Sequence, residues 1–289
     1  MFEAAPHVLV EEPCNRGTAP AILHALMRLY EMAPSALVAL FPSDHYFGNE
    51  SRFIKYVDSA FDATADSDDA VVLLGAEATG PEQAYGRIEP EVPPSPNIQS
   101  LLSVRRFVEK PDARVANELW RGGALWNTLV LIARASTPLR MYILEMPRLY
   151  SSFSDVRLAL GTMFEAEVLA RLYQEFPSSG FSELVLQRYA KRLTVMPMHG
   201  VEWCDLGQPT RVMQVVKQMH VPPRWAVAQP RRSAIEQVAR VTQSERPGGW
   251  RLGYLLESAA VSRGRMVSPI RRIQFIESIS WTGRARKLK

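Results

Sequence analysis

Residues 36–41 (ALVALF) form an uninterrupted apolar run that stops at Pro42, Ser43, Asp44 and His45. Such a run, bounded by turn residues, reads as a strand buried on both faces of a parallel sheet. A strand of that kind needs helices above and below it, which constrains the fold more than any other stretch. In open α/β sheets ligands bind beyond the carboxyl ends of the strands. Asp44 falls at such an end. Two readings of it stand: a carboxylate facing a bound metal or phosphate, or a turn with a capping aspartate.

The flanking pattern supplies the covering helices. Residues 8–10 read as a short strand, followed by 12–22 (EPCNRGTAPAI). There Thr18 is expected as an N-cap and Pro20 in the first turn of a helix reaching Met32. Residues 50–63 carry Phe53, Ile54, Val57 and Phe61 as the expected buried stripe of a second helix. Residues 70–74 are another continuous apolar strand. Strand, helix, strand, helix, strand is the α/β signature. After a break at Pro81, Pro90, Pro93, Pro94 and Pro96, residues 104–110 alternate as a strand stopped by Pro111. Asp112 then caps a short helix, and Gly122-Gly123 ends it. Residues 124–133 read as a strand, 139–146 and 158–173 as helices, 193–196 as a strand, 203–207 as a tight polar turn, and 210–219 as a last amphipathic helix.

Composition enters through its distribution. The 289 residues are 47% hydrophobic and 22% charged, with a net charge of +4. Residues 221–289 hold 14 arginines and lysines against 4 glutamates and no aspartate, a net +10, which leaves the first 220 residues at −6. A boundary is expected near Val221, separating an acidic body (1–220) from a basic extension (221–289). That extension is either a solvated tail or a surface for nucleic acid or anionic lipid. No stretch has the apolar length of a membrane span, and the first residues lack a signal-peptide pattern. Cys14 and Cys204 are too few for a disulfide framework, so a reduced, cytoplasmic setting is the expectation. The five histidines show no ligand spacing, and there is no nucleophile elbow or Walker loop.

Several polar residues sit where chemistry is possible. Asp44 and Asp205 each follow an apolar run, and two carboxylates from distant strand ends suit Mg²⁺. Lys110 lies at a strand end where an ammonium can grip a phosphate, or is a solvated lysine. Glu109 can accept sugar hydroxyls or pair with an arginine. Arg16, before a helix N-terminus, suits a phosphate or nucleotide, or an ordinary capped loop. Asn127 can bond a sugar or its own backbone.

Taken together, residues 12–22 (EPCNRGTAPAI), 41–45 (FPSDH), 85–88 (YGRI), 107–111 (FVEKP) with 125–127 (LWN), and 203–207 (WCDLG) resemble the mannose-1-phosphate guanylyltransferases of the sugar-phosphate nucleotidyltransferase superfamily. Their order and spacing match that family over about 200 residues. The resemblance implies a Rossmann-like (GT-A-like), mostly parallel sheet flanked by helices. It implies Mg²⁺-dependent transfer from GTP to mannose 1-phosphate, giving GDP-mannose and pyrophosphate. By the same resemblance Asp44 and Asp205 hold Mg²⁺ and Lys110 binds the sugar phosphate. Tyr85, Gly86, Glu109 and Asn127 contact the sugar, while Arg16, Thr18, Ala19, Pro20 and Ala21 line the base and ribose. The family begins with a strand followed by a Gly-rich phosphate loop; no Gly-rich loop precedes Glu12 and that first strand–loop–helix unit is absent, so the fold is expected to be incomplete at its N-terminus. Thr128-Leu129 stands where many members have Ser-Gly, and Cys204 where serine is common. Three alternatives remain: another hexose 1-phosphate or nucleotide, a silent sugar-nucleotide-binding paralogue or truncated fragment, and nucleic-acid binding by the basic extension. A homo-oligomer is compatible with all of them.

Overall fold

A computed structural model describes residues 9–95, 100–219 and, as backbone, 251–257 and 272–278. Pro96 and the remainder of the basic extension lie outside the described residues. The strands are β1 (Leu9–Glu11), β2 (Leu37–Pro42), β3 (His45–Phe47), β4 (Val71–Ala76), β5 (Arg87–Pro90), β6 (Leu102–Val108), β7 (Leu125–Arg134), β8 (Thr194–Met198), β9 (Trp203–Asp205), β10 (Arg251–Glu257) and β11 (Arg272–Ser278). The helices are α1 (Thr18–Met32), α2 (Glu50–Ala65), α3 (Ala113–Arg121), α4 (Ser136–Glu145), α5 (Pro147–Ser152), α6 (Ser154–Ala159), α7 (Glu165–Glu175), α8 (Gln187–Tyr189, entered through a π turn at Ser182–Leu186) and α9 (Pro209–Gln218).

Nine of these strands form one sheet in the order β1-β10-β11-β2-β7-β4-β8-β6-β5, and β3 and β9 form a separate ribbon. The α/β architecture agrees with the sequence, but the sheet is mixed. Only β11–β2 and β4–β8 are hydrogen-bonded in parallel. β7 runs antiparallel between β2 and β4. A strand buried on both faces has the same apolar look in either direction, so periodicity alone does not reveal the reversal.

β2 shows how the layers are built. Successive side chains of a strand face opposite sides. Val38 and Leu40 join the core formed with α1, α4 and α7, whereas Leu37 and Ala39 join the core under α2. In β4, Val71 and Leu73 take the first side and Val72 and Leu74 the second. Each strand therefore reads as apolar throughout because helices cover both faces.

Several local expectations are corrected. Thr18 does not cap α1: Gly17 precedes the helix, no side chain caps it, and the Thr18 hydroxyl accepts the Phe181 amide instead (2.8 Å). Ile54 is 56% exposed, because α2 is rotated to bury Tyr56, Val57, Ala60, Phe61 and Thr64. The expected helix over 158–173 is two helices, α6 and α7, separated around Gly161 with its left-handed φ of 73°. Residues 203–205 are a strand rather than a turn, paired with β3. Two stretches of the basic extension, β10 and β11, are strands of the main sheet between β1 and β2. Their sequences, RLGYLLE and RIQFIES, carry the β-branched and aromatic residues that strands favour.

Candidate active site

The β3–β9 ribbon brings the two aspartates together. His45 lies opposite Asp205 and Phe47 opposite Trp203. The Leu206 amide donates to the Asp44 carbonyl at 2.6 Å, and the Gly48 amide to the Glu202 carbonyl at 2.8 Å. Both carboxylates then point toward Gly207. A Cβ built on that glycine would lie 3.8 Å from Asp44 Oδ2 and 3.9 Å from Asp205 Oδ2. The two carboxylates thus share one side-chain-free spot beside Gly207. Burial pushes the Asp44 carboxyl above its ordinary range; a backbone hydrogen bond opposes the rise, and the charge of Asp205 adds to it. Asp44 Oδ1 is buried with no hydrogen-bond partner. A buried acceptor left without a donor costs about 1–3 kcal/mol, so Asp44 keeps an unused acceptor beside the spot that its other oxygen shares with Asp205. Hard oxygen donors flanking a side-chain-free gap suit a divalent cation such as Mg²⁺.

Aromatic packing sets the position of Asp205. Tyr85 and Trp203 stand 4.8 Å apart, Tyr85 and Trp126 5.2 Å, and His45 and Trp203 5.1 Å, all close to edge-to-face. The Trp203 indole donates to His45 Nδ1 at 3.2 Å, which leaves the imidazole proton on Nε2. Burial holds the His45 pKa down to about 3, with a backbone bond at Thr128 pulling the other way, so the ring is neutral. The Tyr85 hydroxyl donates to Asp205 Oδ1 at 3.2 Å, and Arg211, in the first turn of α9, bonds the same oxygen.

The second part of the site forms at Gly86. A Cβ there would meet Glu109 Oε2 at 2.6 Å and the Asn127 Cβ at 3.2 Å, so any larger residue would push the Glu109 carboxylate from its place. Glu109 Oε2 is buried and unpartnered. Burial raises the Glu109 pKa; Lys110 lowers it and Glu183 raises it further. The Glu109 amide donates to Gln187 Oε1 at 2.8 Å, which ties the strand end to α8. Asn127 is held by its own loop. Its amide donates to the Gly86 carbonyl (2.8 Å), its Oδ1 accepts from the Leu129 amide (3.0 Å), and its Nδ2 donates to Ser182 Oγ (3.3 Å). A bulge in β7 produces this loop, since Leu73 pairs with Leu131 but Gly75 with Asn127. Thr128 satisfies the bulge by donating to the Leu74 carbonyl at 2.6 Å, while Leu129 takes a left-handed φ of 56°. Lys110, exposed beside Glu109, also has a left-handed φ, 45°.

The third stretch, Arg16 to Ala21, is bound to the strip around Ser179. The Arg16 carbonyl accepts the Ser179 amide, the Ala19 amide donates to the Ser179 carbonyl, and Arg16 Nε donates to the Tyr173 carbonyl. Ala19, Pro20 and Ala21 are buried, with the Ala19 carbonyl taken by the Tyr142 hydroxyl (2.7 Å). Arg16, Gly17 and Thr18 are the residues of this stretch that keep surface.

A family model described as nucleotidyl transferase matches residues 5–220, a span that holds all three parts of this site. The chain belongs to the nucleotidyl transferase family. Among relatives of this nucleotidyl transferase, the xanthan biosynthesis protein XanB of Xanthomonas campestris is 29% identical over 223 residues, covering 74% of this chain and 44% of that protein. A mannose-1-phosphate guanylyltransferase of Escherichia coli is 25% identical over 214 residues, covering 72% and 44%. The crystal structure of a protein from Thermus thermophilus, titled a mannose-1-phosphate geranyltransferase, superposes with a TM-score of 0.59 at 26% identity, covering 72% of this chain and 57% of that one. The chain thus spans less than half the length of these two curated relatives.

Sequence reasoning passed over Arg211, Ser182, Gln187, Arg87 and the gap at Gly207. Arg87, inside the YGRI stretch, is fully buried and donates to the carbonyls of Gly80 (2.8 Å) and Glu82 (2.9 Å), so it holds the loop that carries Tyr85. The sequence signal for it was only an arginine set between a glycine and an isoleucine in a motif stretch. Arg211 gave none, because its role depends on how α9 packs. Both cysteines are free, and no group of three or more His, Cys, Asp or Glu able to hold a metal occurs among the described residues. No helix among them is long and apolar enough to cross a membrane.

Proposed function

We propose that this nucleotidyl transferase joins a nucleoside triphosphate to a sugar 1-phosphate, with GTP and mannose 1-phosphate as the pair and Mg²⁺ between Asp44 and Asp205. The observation that carries the reading is the convergence of the two carboxylates on the side-chain-free gap at Gly207. Bound there, Mg²⁺ supplies positive charge to the phosphate oxygens. A sugar-phosphate oxygen bonds to the α-phosphorus, the bond from that phosphorus to the β-bridging oxygen breaks, and pyrophosphate leaves. The protein's part is positioning and charge neutralisation. Lys110 takes the phosphate of the sugar. Glu109 accepts sugar hydroxyls with its unpartnered oxygen, beside the Gly86 backbone, Tyr85 and Asn127. Arg16 and Thr18, over the buried Ala19, Pro20 and Ala21, face the base and ribose. The names of the relatives, which include a mannose-1-phosphate guanylyltransferase, support the choice of sugar and nucleotide.

The test is pyrophosphate release by the full chain with GTP, mannose 1-phosphate and Mg²⁺, beside a panel of other nucleotides and hexose 1-phosphates. Turnover is expected for the named pair and to fall by about 10³-fold or more in Asp44→Asn and Asp205→Asn, with melting temperature preserved. Full activity in either variant would remove the metal assignment, and preference for another pair would replace the substrates.

A further inference from the structure

The two oxygens of Asp205 have different tasks. Oδ2 reaches the gap at Gly207 that Asp44 Oδ2 also reaches. Oδ1 faces the other way, bonded by Arg211 Nη1 and by the Tyr85 hydroxyl. Arg211 is itself well fixed. Its side chain is 12% exposed, its guanidinium carbon lies 4.5 Å over the Tyr85 ring, and its amide donates to the Gln208 carbonyl at 3.0 Å. One carboxylate therefore separates a half-buried guanidinium from the gap. Asp44, Asp205 and Arg211 together carry a single negative charge, where the two acids alone would carry two.

We propose that Arg211 is a positioning residue and built-in counter-charge that keeps the acid pair from capturing a divalent cation by itself. The inference rests on the metal reading above and adds an order of events to it. A free dication entering the gap meets one net negative charge and a nearby guanidinium. A cation already bound to a triphosphate brings its own anionic oxygens, which offset that guanidinium. The cation accordingly enters with the nucleotide. The clamp on Oδ1 also keeps Asp205 from turning both oxygens to the metal. An arginine suits this task because it cannot lose its proton and its planar fork holds one carboxylate orientation.

The experiment is a titration of the full chain with Mn²⁺, following the free ion by electron paramagnetic resonance, with and without GTP. Without GTP, Arg211→Met is expected to bind Mn²⁺ about tenfold more tightly than the wild type, the scale on which one partly screened unit charge acts at this range. Arg211→Gln should behave as Arg211→Met, which covers the case in which the methionine variant fails to fold. Arg211→Lys, which keeps the charge, should bind as the wild type does. GTP should tighten Mn²⁺ binding more in the wild type than in the neutral variants. Neutral variants that bind no tighter than the wild type overturn the role of Arg211, as does a lysine variant that tightens with them. Without GTP, Asp44→Asn should abolish the Mn²⁺ binding of the neutral variants; binding that survives it overturns the metal reading itself and is recognised separately.

Discussion

The stretch around Gly17 and the corner around Gly86 are built on the same device, a glycine pressed against its neighbour, and they end in opposite states. At Gly17 the chain takes a left-handed φ of 86° and lies against the Ser179 backbone. Asn15, Arg16, Thr18 and Ala19 then find partners within the protein. At Gly86 the same closeness presses Glu109 into a buried place where one carboxylate oxygen has nothing to accept from. Asp44 is left in that state as well. The lesson is that tight packing alone does not mark a ligand site. A buried acceptor without a donor, as at Glu109 and Asp44, is the added signal, because native folds rarely leave such groups unpaired.

That contrast can be broken by substitution. The largest effect belongs to the open corner: Glu109→Gln or Gly86→Ala should raise the KM for the sugar phosphate about 10–100-fold, the range for losing a hydrogen bond to a charged group in a buried site. Melting temperature should hold in Glu109→Gln, and steady-state kinetics checks both. A KM that stays put in both variants would mean that the orphaned oxygen does not face the substrate. Next comes Gly17→Ala, where a methyl must displace the Ser179 backbone and adopt a left-handed φ. A loss of about 2–3 kcal/mol is expected in denaturant unfolding.

The smallest effect is in pH. Glu12, buried before the Gly17 stretch, has its pKa pushed up to about 8 by burial, against a hydrogen bond from Tyr173 that lowers it. A carboxyl whose folded pKa is raised binds more protons folded than unfolded. Its contribution to stability is therefore full below about pH 4.5 and is lost as pH rises toward 8. His24 works the other way. Burial, with Arg28 adding to it, lowers its pKa to about 4, so its contribution is present above 6.5 and lost as pH falls toward 4. The two windows overlap between pH 4.5 and 6.5, where the opposing slopes offset, so this pair leaves stability flat there and lowers it above about 6.5 and below about 4.5. Glu12→Gln should flatten the alkaline side alone in a series of thermal melts, and an unchanged alkaline slope would count against the buried acid.

What was legible in the sequence follows from what local pattern encodes. β2, β4, α1 and α2 were readable because their apolar residues recur at strand or helix spacing, and Asp112 because a cap is a local bond to the Val115 amide. The motif residues Asp44, Gly86, Glu109, Asn127 and Asp205 came from short stretches in a fixed order. Direction was not legible, as β7 shows. Exposure was not either: Ile54 fits an apolar stripe, yet α2 turns it outward. Arg211 was the hardest, since nothing at positions 205 to 211 announces that a helix will fold the guanidinium back onto a carboxylate.

The β3–β9 ribbon has a consequence for how the protein is made. It joins residues 45–47 to residues 203–205, so the first carboxylate of the pair leaves the ribosome long before the second. At the usual pace of synthesis, about 5–20 residues per second, the interval is on the order of ten seconds or more. Throughout it the nascent chain has one acid and no partner for it. On the metal reading proposed above, the acid pair is complete only once residues 203–205 have joined the ribbon.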